Sequence, residues 1–418
     1  MLTSFPNDKY TEGLEYYLVG GAVRDHYLGI PNSDRDWLVI SSTPEEMQAR
    51  GFIPVGKDFP VFLHPKTKEE FALARTERKV ARGYNGFNVW TSPDVTIEED
   101  LKRRDLTINA MALDESEKLI DPFNGLSDLR KGYLRHVSTA FVEDPLRVLR
   151  TARFLAKLGN LGFSICEETL SIMSQIVLSD ELAALPPERI WQELLRAFKS
   201  PRPDLFFVGL RQCGGLQQLL PEFDELFSKA STNAPPEGTA NHILFESLKL
   251  AGDRNGEPIV MFGVLCASLV RISTHNNQWV TSRAEIERGI TRLISFCARL
   301  AVPNSFKNLG LMMCRHHLKV ATFSSLEPHE LYLLLKDLDG FRNTTKMFQF
   351  IMASEIYLNS LTHSSDYDNS PSDYMKKLHN RLTMIDLSDI GKLTLPPAQI
   401  GEEVQRRRIA AIAAFQYY

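Results

Sequence analysis

The sequence predicts an α+β protein: a head of short strands and short helices to about residue 138, followed by helix almost to the end. Three observations predict it. Short β-branched and aromatic runs (EYYLV, DWLVI, FPVFLH, EFALART, FNVWTS) recur in the first part of the chain, separated by Gly- and Pro-rich connections. Beyond residue 139 apolar residues return at helical spacing. No sequence repeat of fixed period interrupts either regime.

In chain order, EYYLV reads as a strand that runs into Gly20-Gly21 and then a short helix ending near Gly29. DWLVI is the next strand, and TPEEMQAR a helix with Thr43 as N-cap and Pro44 as its first residue. FPVFLH, EFALART and FNVWTS are further strands, and DLKRRDLTINAMALD is a charged turn entering a buried segment. DPLRVLRTARFLAKLG places Leu146, Leu149, Ala152 and Leu155 on one helical face and closes on Gly159. PERIWQELLRAF and EEVQRRRIAAIAAF read as helices, KASTNAPPEGTAN (229–241) as a linker and HSSDYDNSPSD (363–373) as a long loop. These shifts divide the chain into 1–138, 139–228 and 229–418.

The chain has 418 residues and a net charge of -4, so a nucleic-acid partner would need a local basic surface. Five cysteines without paired spacing read as reduced thiols of a cytoplasmic protein, and the polar N-terminus lacks a signal-peptide core. No apolar run approaches the roughly 20 residues of a membrane span.

Several stretches carry chemistry. Glycines after a strand let backbone N–H groups approach a ligand, and Arg24 one turn on adds charge; a tight turn needs the same glycines. Asp34 and Asp36, two apart on an extended chain, project to one face. Paired carboxylates of that kind suit Mg²⁺, which shares its shell with phosphate oxygens; the alternative is a solvated turn. Glu70, at the head of another strand, would complete the cluster or stand exposed. In the run from Lys102 to Asn109, Arg104 suits a triphosphate and Asn109 the sugar, or the run is a charged surface turn. Asp144 before Pro145 is a good helix cap, while Arg147, Arg150 and Arg153 recur opposite the leucines, where they would meet a nucleotide.

YLVGGAVRD, the DRD pair, RRDLTINAMA and EDPLRVLR, in this order, resemble motifs A to D of the class II tRNA nucleotidyltransferases, the CCA-adding enzymes of the polymerase β superfamily. The likeness is dense over about residues 16–225 and looser beyond, where EEVQRRRIAAIAAF resembles the C-terminal helix of proteobacterial members. It implies a nucleotidyltransferase head with a small sheet and a helical neck, body and tail. It also implies addition of CCA to the tRNA 3′ end from CTP and ATP; the sequence leaves open whether the protein is a monomer or homodimer. Gly20, Gly21 and Arg24 would hold the triphosphate, Asp34 and Asp36 two Mg²⁺ ions, and Arg104 the nucleotide. Asp144 and Arg147 would read the base edge, with Arg150 and Arg153 in support. Poly(A) polymerases and CC- or A-adding enzymes are close relatives. The Arg-, Lys- and Gly-rich stretch 75–87 lies where complete CCA-adding enzymes carry a mobile loop. Many proteobacterial members also carry a metal-dependent HD phosphohydrolase domain. Here its first His resembles His242, but Ala267-Ser268 stands where the His-Asp pair belongs, which implies a degenerate site. His316-His317 is read as a surface pair.

Overall fold

A computed structural model describes residues 5–31, 34–55, 60–79, 87–228, 240–254, 256–270, 272–275, 278–362, 371–388 and 396–416. The chain divides into two compact units, Met1–Ala197 with Leu205–Leu219, and Phe198–Asp204 with Leu220–Tyr418. The expected α+β class holds: a small sheet with helices, then helices.

In the first unit, β1 (Tyr16–Val19), α1 (Gly21–Tyr27), β2 (Asp36–Val39), α2 (Pro44–Ala49), β3 (Ile53–Val55), β4 (Val61–Leu63) and β5 (Glu70–Leu73) follow one another. A two-stranded ribbon, β6 (Arg75–Lys79) and β7 (Phe87–Thr91), comes next, then α3 (Ile97–Lys102), β8 (Ala112–Leu113) and β9 (Leu119–Ile120). The main sheet has the order β3-β4-β5-β2-β1-β8-β9. β1 and β2 pair antiparallel with Val19 opposite Asp36, while β2 and β5 run parallel with Asp36 beside Glu70. Trp37, Leu38 and Val39 are all buried, so β2 is covered on both faces. One face stacks Trp37 on Phe71 with Tyr16 and Phe52 around them. The other packs Val19, Leu38, Leu101, Ala110 and Ala112 into one cluster. Thr43 caps α2 as expected, its Oγ1 accepting from Glu46 N–H at 3.2 Å.

The unit continues through α4 (Gly125–Lys131), β10 (Tyr133–Leu134), α5 (Leu146–Leu158), β11 (Ser164–Ile165), α6 (Glu167–Leu178), α7 (Pro187–Ala197) and on into α8 (Asp204–Gln212) and α9 (Gly215–Leu219). Gly125 is required by packing: a Cβ there would lie 2.3 Å from the Thr107 carbonyl oxygen. Gly159 does not end α5 as a left-handed cap. Its φ is -62°, the chain continues as a 3₁₀ turn, and the positive-φ terminator is Gly162 at +84°. Gly159 is small for another reason, since a Cβ would stand 2.1 Å from Leu205 Cδ1.

Among the described residues the second unit is helical apart from one hairpin. It holds α10 (Pro221–Ser228), α11 (Ala240–Asp253), α12 (Pro258–Ala267), the hairpin β12 (Ser273–His275) and β13 (Gln278–Val280), α13 (Arg283–Arg299) and α14 (Asn304–His316). The helices α15 (Pro328–Asp337), α16 (Thr344–Thr362), α17 (Pro371–Thr383) and α18 (Pro397–Gln416) complete it. α12 is buried along nearly its whole length against α11, α14 and α16, as an all-apolar helix must be. Most of the expected linker 229–241 lies outside the described residues, as does 363–370 of the expected loop; that loop ends earlier than expected because Pro371 opens α17.

Candidate active site

Gly20 leaves β1 with φ +70° and ψ -125°, a backbone state that needs glycine. A Cβ on it would also stand 2.9 Å from Arg104 Nη1. Gly21, already helical, would place a Cβ in ordinary contact, 3.5 Å from Arg24 Nη2. The turn therefore brings two guanidinium groups against backbone.

Antiparallel pairing of β1 and β2 sets Asp36 directly across from the end of β1, beside that turn. Surrounding protein raises the Asp36 pKa by desolvation; Arg104 opposes this and the nearby Asp34 charge adds to it. Asp34 is exposed just before the strand. The oxygen-only, solvent-facing pair fits a hydrated divalent ion that takes further oxygens from a phosphate. Glu70 is level with Asp36 on β5 and exposed. Among the described residues no three His, Cys, Asp or Glu side chains are grouped to hold a metal.

The turn opens on a cleft of about 530 Å³. The structure gathers Gly20, Gly21, Arg24, Asp36, Arg104, Asn109, Asp144, Arg147, Arg150 and Arg153 on its walls. Asp34 and Glu70 are not among its lining residues. Recurrence every three residues on α5 does place Arg147, Arg150 and Arg153 on one face, as expected. Each is held by a different partner. Arg147 donates from Nη1 to the Ala140 carbonyl (2.9 Å) and from Nη2 to the Arg103 carbonyl (2.6 Å). Arg150 Nε donates to Asp105 Oδ2 at 2.7 Å, and Arg153 Nε to the buried Glu193 at 2.5 Å. Burial favours a higher Asp105 pKa, but Arg150 and hydrogen bonds from Asn109 and the Leu106 N–H outweigh it and hold the carboxyl well below its ordinary range. Asp144 caps α5, its Oδ1 accepting from Leu146 N–H at 3.0 Å, and its Oδ2 lies 3.7 Å from Arg189.

Arg104 is less completely held. Its contacts to Asp100 Oδ2 (3.3 Å) and the Asn109 carbonyl (3.4 Å) are long, and its buried Nε has no partner among the described residues. A guanidinium in that condition, next to Asp36, suits an anionic ligand.

Arg75, Arg103, Lys157, Arg189 and Phe154 also line the cleft; the sequence marks the basic stretches that hold Arg75 and Arg103 but assigns none of the five a role. Phe154 faces two cations, Arg24 at 5.2 Å and Arg153 at 4.5 Å from its centroid. Lys157 lies four residues after Arg153, one further turn along the same side of α5, so helical geometry already pointed to it. Arg75 opens the basic stretch 75–87, while Arg189 lies on α7 and carried no local signal. Basic side chains on the walls outnumber carboxylates nine to three, so the cleft favours a polyanion despite the net charge of -4.

In the second unit Ala267 and Ser268 are buried, and Ser268 Oγ donates to the Leu265 carbonyl at 2.6 Å. His242 lies on α11, but its side chain is outside the described residues. The surface reading of His316-His317 is corrected. His317 is 1% exposed with Nδ1 2.7 Å from the Met313 carbonyl, because it opens the 3₁₀ segment after α14, whose inner face is buried. Most of the expected loop 75–87 also falls outside what is described: residues 80–86 lie beyond it, between the paired β6 and β7.

The poly A polymerase head domain family matches residues 16–135, and the family described as a probable RNA and SrmB-binding site of polymerase A matches residues 162–227. Among solved structures, a Bacillus stearothermophilus CCA-adding enzyme in complex with CTP is similar over 97% of this chain and 90% of its own, at TM-score 0.63 and 21% identity. A Thermotoga maritima CCA-adding enzyme complexed with tRNA-CCA is similar over 97% and 89%, at TM-score 0.60 and 20% identity. A CCA-adding enzyme in complex with ATP covers the same shares at TM-score 0.66 and 20% identity. These likenesses show that the fold is shared.

Proposed function

We propose that this protein is a CCA-adding tRNA nucleotidyltransferase of class II. It transfers nucleotidyl units from CTP and ATP to the tRNA 3′ end without a nucleic-acid template and releases pyrophosphate. The observation that carries this reading is the single cleft in which the Gly20 turn, Asp36, Arg104 and the arginine face of α5 meet. A phosphate-accepting turn, a metal-binding carboxylate and a base-reading helix end are the three parts this reaction needs.

Asp34 and Asp36 would hold Mg²⁺, which when bound supplies positive charge to the reacting phosphate and the attacking hydroxyl. Arg24 and Arg104 would bind the triphosphate, with Gly20 and Gly21 keeping that wall free of side chains. Glu70 would act only as a neighbouring charge. Asp144 accepts hydrogen bonds from the amino group of cytosine or adenine, while Arg147 donates to their ring acceptors; uracil and guanine present a carbonyl where the carboxylate needs a donor. The bonds that fix both side chains to the protein make them a rigid template. Arg150 and Arg153 would add charge beside the nucleotide. We assign residues 1–138 to the head, 139–228 to a neck that binds base and tRNA, and 229–418 to a tRNA-binding body and tail. The match at 162–227 to an RNA-binding family supports the neck assignment. The described residues contain no helix long and apolar enough to cross a membrane, and the five buried free thiols suit a reducing cytoplasm.

The test uses tRNA transcripts lacking the whole CCA end, ending in C, or ending in CC, each offered CTP and ATP separately and together. Two C additions followed by one A, and then arrest, is the expected result. Unlimited A addition would favour the second reading, a poly(A) polymerase, which the head-domain match also suits. Arrest after CC, or addition of A alone, would identify a partial enzyme.

A further inference from the structure

Six side chains close a ring across the floor of the cleft. Lys157 Nζ on α5 donates to Asp25 Oδ2 at 3.2 Å. Asp25 Oδ1 accepts from Arg24 Nε at 2.7 Å and Nη2 at 2.6 Å. Arg24 Nη1 donates to Asn109 Oδ1 at 2.6 Å, and Asn109 Nδ2 donates to Asp105 Oδ1 at 3.0 Å. Asp105 Oδ2 then accepts from Arg150, which returns the ring to α5 two turns before Lys157.

The chemistry of the ring fixes its direction. Arg24 offers only donors and the Asp105 carboxylate only acceptors, so the Asn109 amide has one orientation that satisfies both. Arg24, Asp25, Asp105 and Asn109 are all buried. The Arg24 guanidinium is thus gripped on the Nε–Nη2 side by Asp25 and at Nη1 by Asn109, with Nη2 facing the Gly21 backbone. A cation oriented before its ligand arrives loses little freedom on binding.

We propose that Asp25 and Asn109 are positioning residues that hold the Arg24 guanidinium in the plane in which it meets the triphosphate, so that Asn109 acts through Arg24 and not on the sugar. This rests on the nucleotidyltransferase reading above.

The test measures calorimetric affinities for CTP, deoxy-CTP and CMP with the full-length wild type, Asp25→Asn, Asn109→Leu, Arg24→Ala and the two double variants. Each positioning variant is expected to weaken CTP binding about tenfold and CMP binding less than about twofold. Adding either one to Arg24→Ala is expected to cost nothing further, because residues that act through one partner are not additive. Equal losses for CTP and CMP, or losses that multiply in the double variants, overturn the proposal. So does a reduced preference for CTP over deoxy-CTP in Asn109→Leu, which would put that residue on the sugar. Circular dichroism checks folding, and if Asp25→Asn does not fold, Asn109→Leu decides by the same comparison. A wild type that binds CTP and extends tRNA while these patterns fail leaves the proposed function standing; a wild type that does neither removes both.

Discussion

Gly20 combines a positive φ with a neighbouring cation, and Gly21 has neither constraint at that severity. Gly20→Ala should therefore cost about 1–2 kcal/mol in backbone strain and displace Arg104 as well, while Gly21→Ala should stay within about 0.5 kcal/mol. Chemical denaturation of the two variants checks the difference. The carboxylates separate in the same way. Asp34→Ala and Asp36→Ala should each lower nucleotide incorporation by several powers of ten and leave tRNA binding intact, because the metal's charge is needed where bonds break. Glu70→Ala should cost far less, since Glu70 lies level with Asp36 but completes no ligand group among the described residues. Single-turnover assays that show equal losses in all three would put Glu70 among the ligands.

At the scale of elements, α5 carries both a cap and an arginine face on the cleft. Arg147→Ala should relax the preference for CTP and ATP over UTP and GTP more than it lowers tRNA affinity, and competition among the four triphosphates measures it. If the preference is unchanged, Asp144 serves as a helix cap alone, for which loss costs about 1 kcal/mol. In the second unit, the 3₁₀ segment after α14 holds His317 in the core, where burial pushes its pKa down to about 4 against the weaker opposing pull of the Met313 carbonyl. The unfolded chain takes up a proton near the ordinary value of 6.5 and the folded chain resists it. Stability from this group is therefore complete above about pH 6.5 and is lost as pH falls toward 4, by roughly 3 kcal/mol at the end of that window. Burial lowers His316 in the same direction. Thermal melts of wild type and His317→Leu across that window should converge as the pH falls.

For the whole molecule, the second unit is expected to support the tRNA without chemistry of its own. Ala267 and Ser268 are buried and offer no strong ligand for a divalent ion. Purified protein should show no hydrolysis of p-nitrophenyl phosphate or 2′,3′-cyclic AMP with Ni²⁺, Mn²⁺ or Mg²⁺. Metal-dependent hydrolysis that survives Asp34→Ala and disappears in His242→Ala would contradict this.

The sequence by itself determined the elements and most of the site's chemistry. Strand periodicity ran into Gly20-Gly21, Asp34 and Asp36 marked the carboxylate-bearing start of a strand, and the arginines of α5 fell on one face because helical geometry is local. The tertiary structure alone decided what those groups touch. It joined Arg24 to Asn109 and Asp25 to Lys157 across long stretches of chain, brought Arg75 and Arg189 to the same walls, and left Glu70 outside the cleft lining. It also gave Gly159, where α5 ends as expected, a packing role against Leu205. Local spacing fixes the face on which a residue lies, whereas a buried charge finds its partner only when separate elements pack, so the ring beneath the cleft had no signature in the chain.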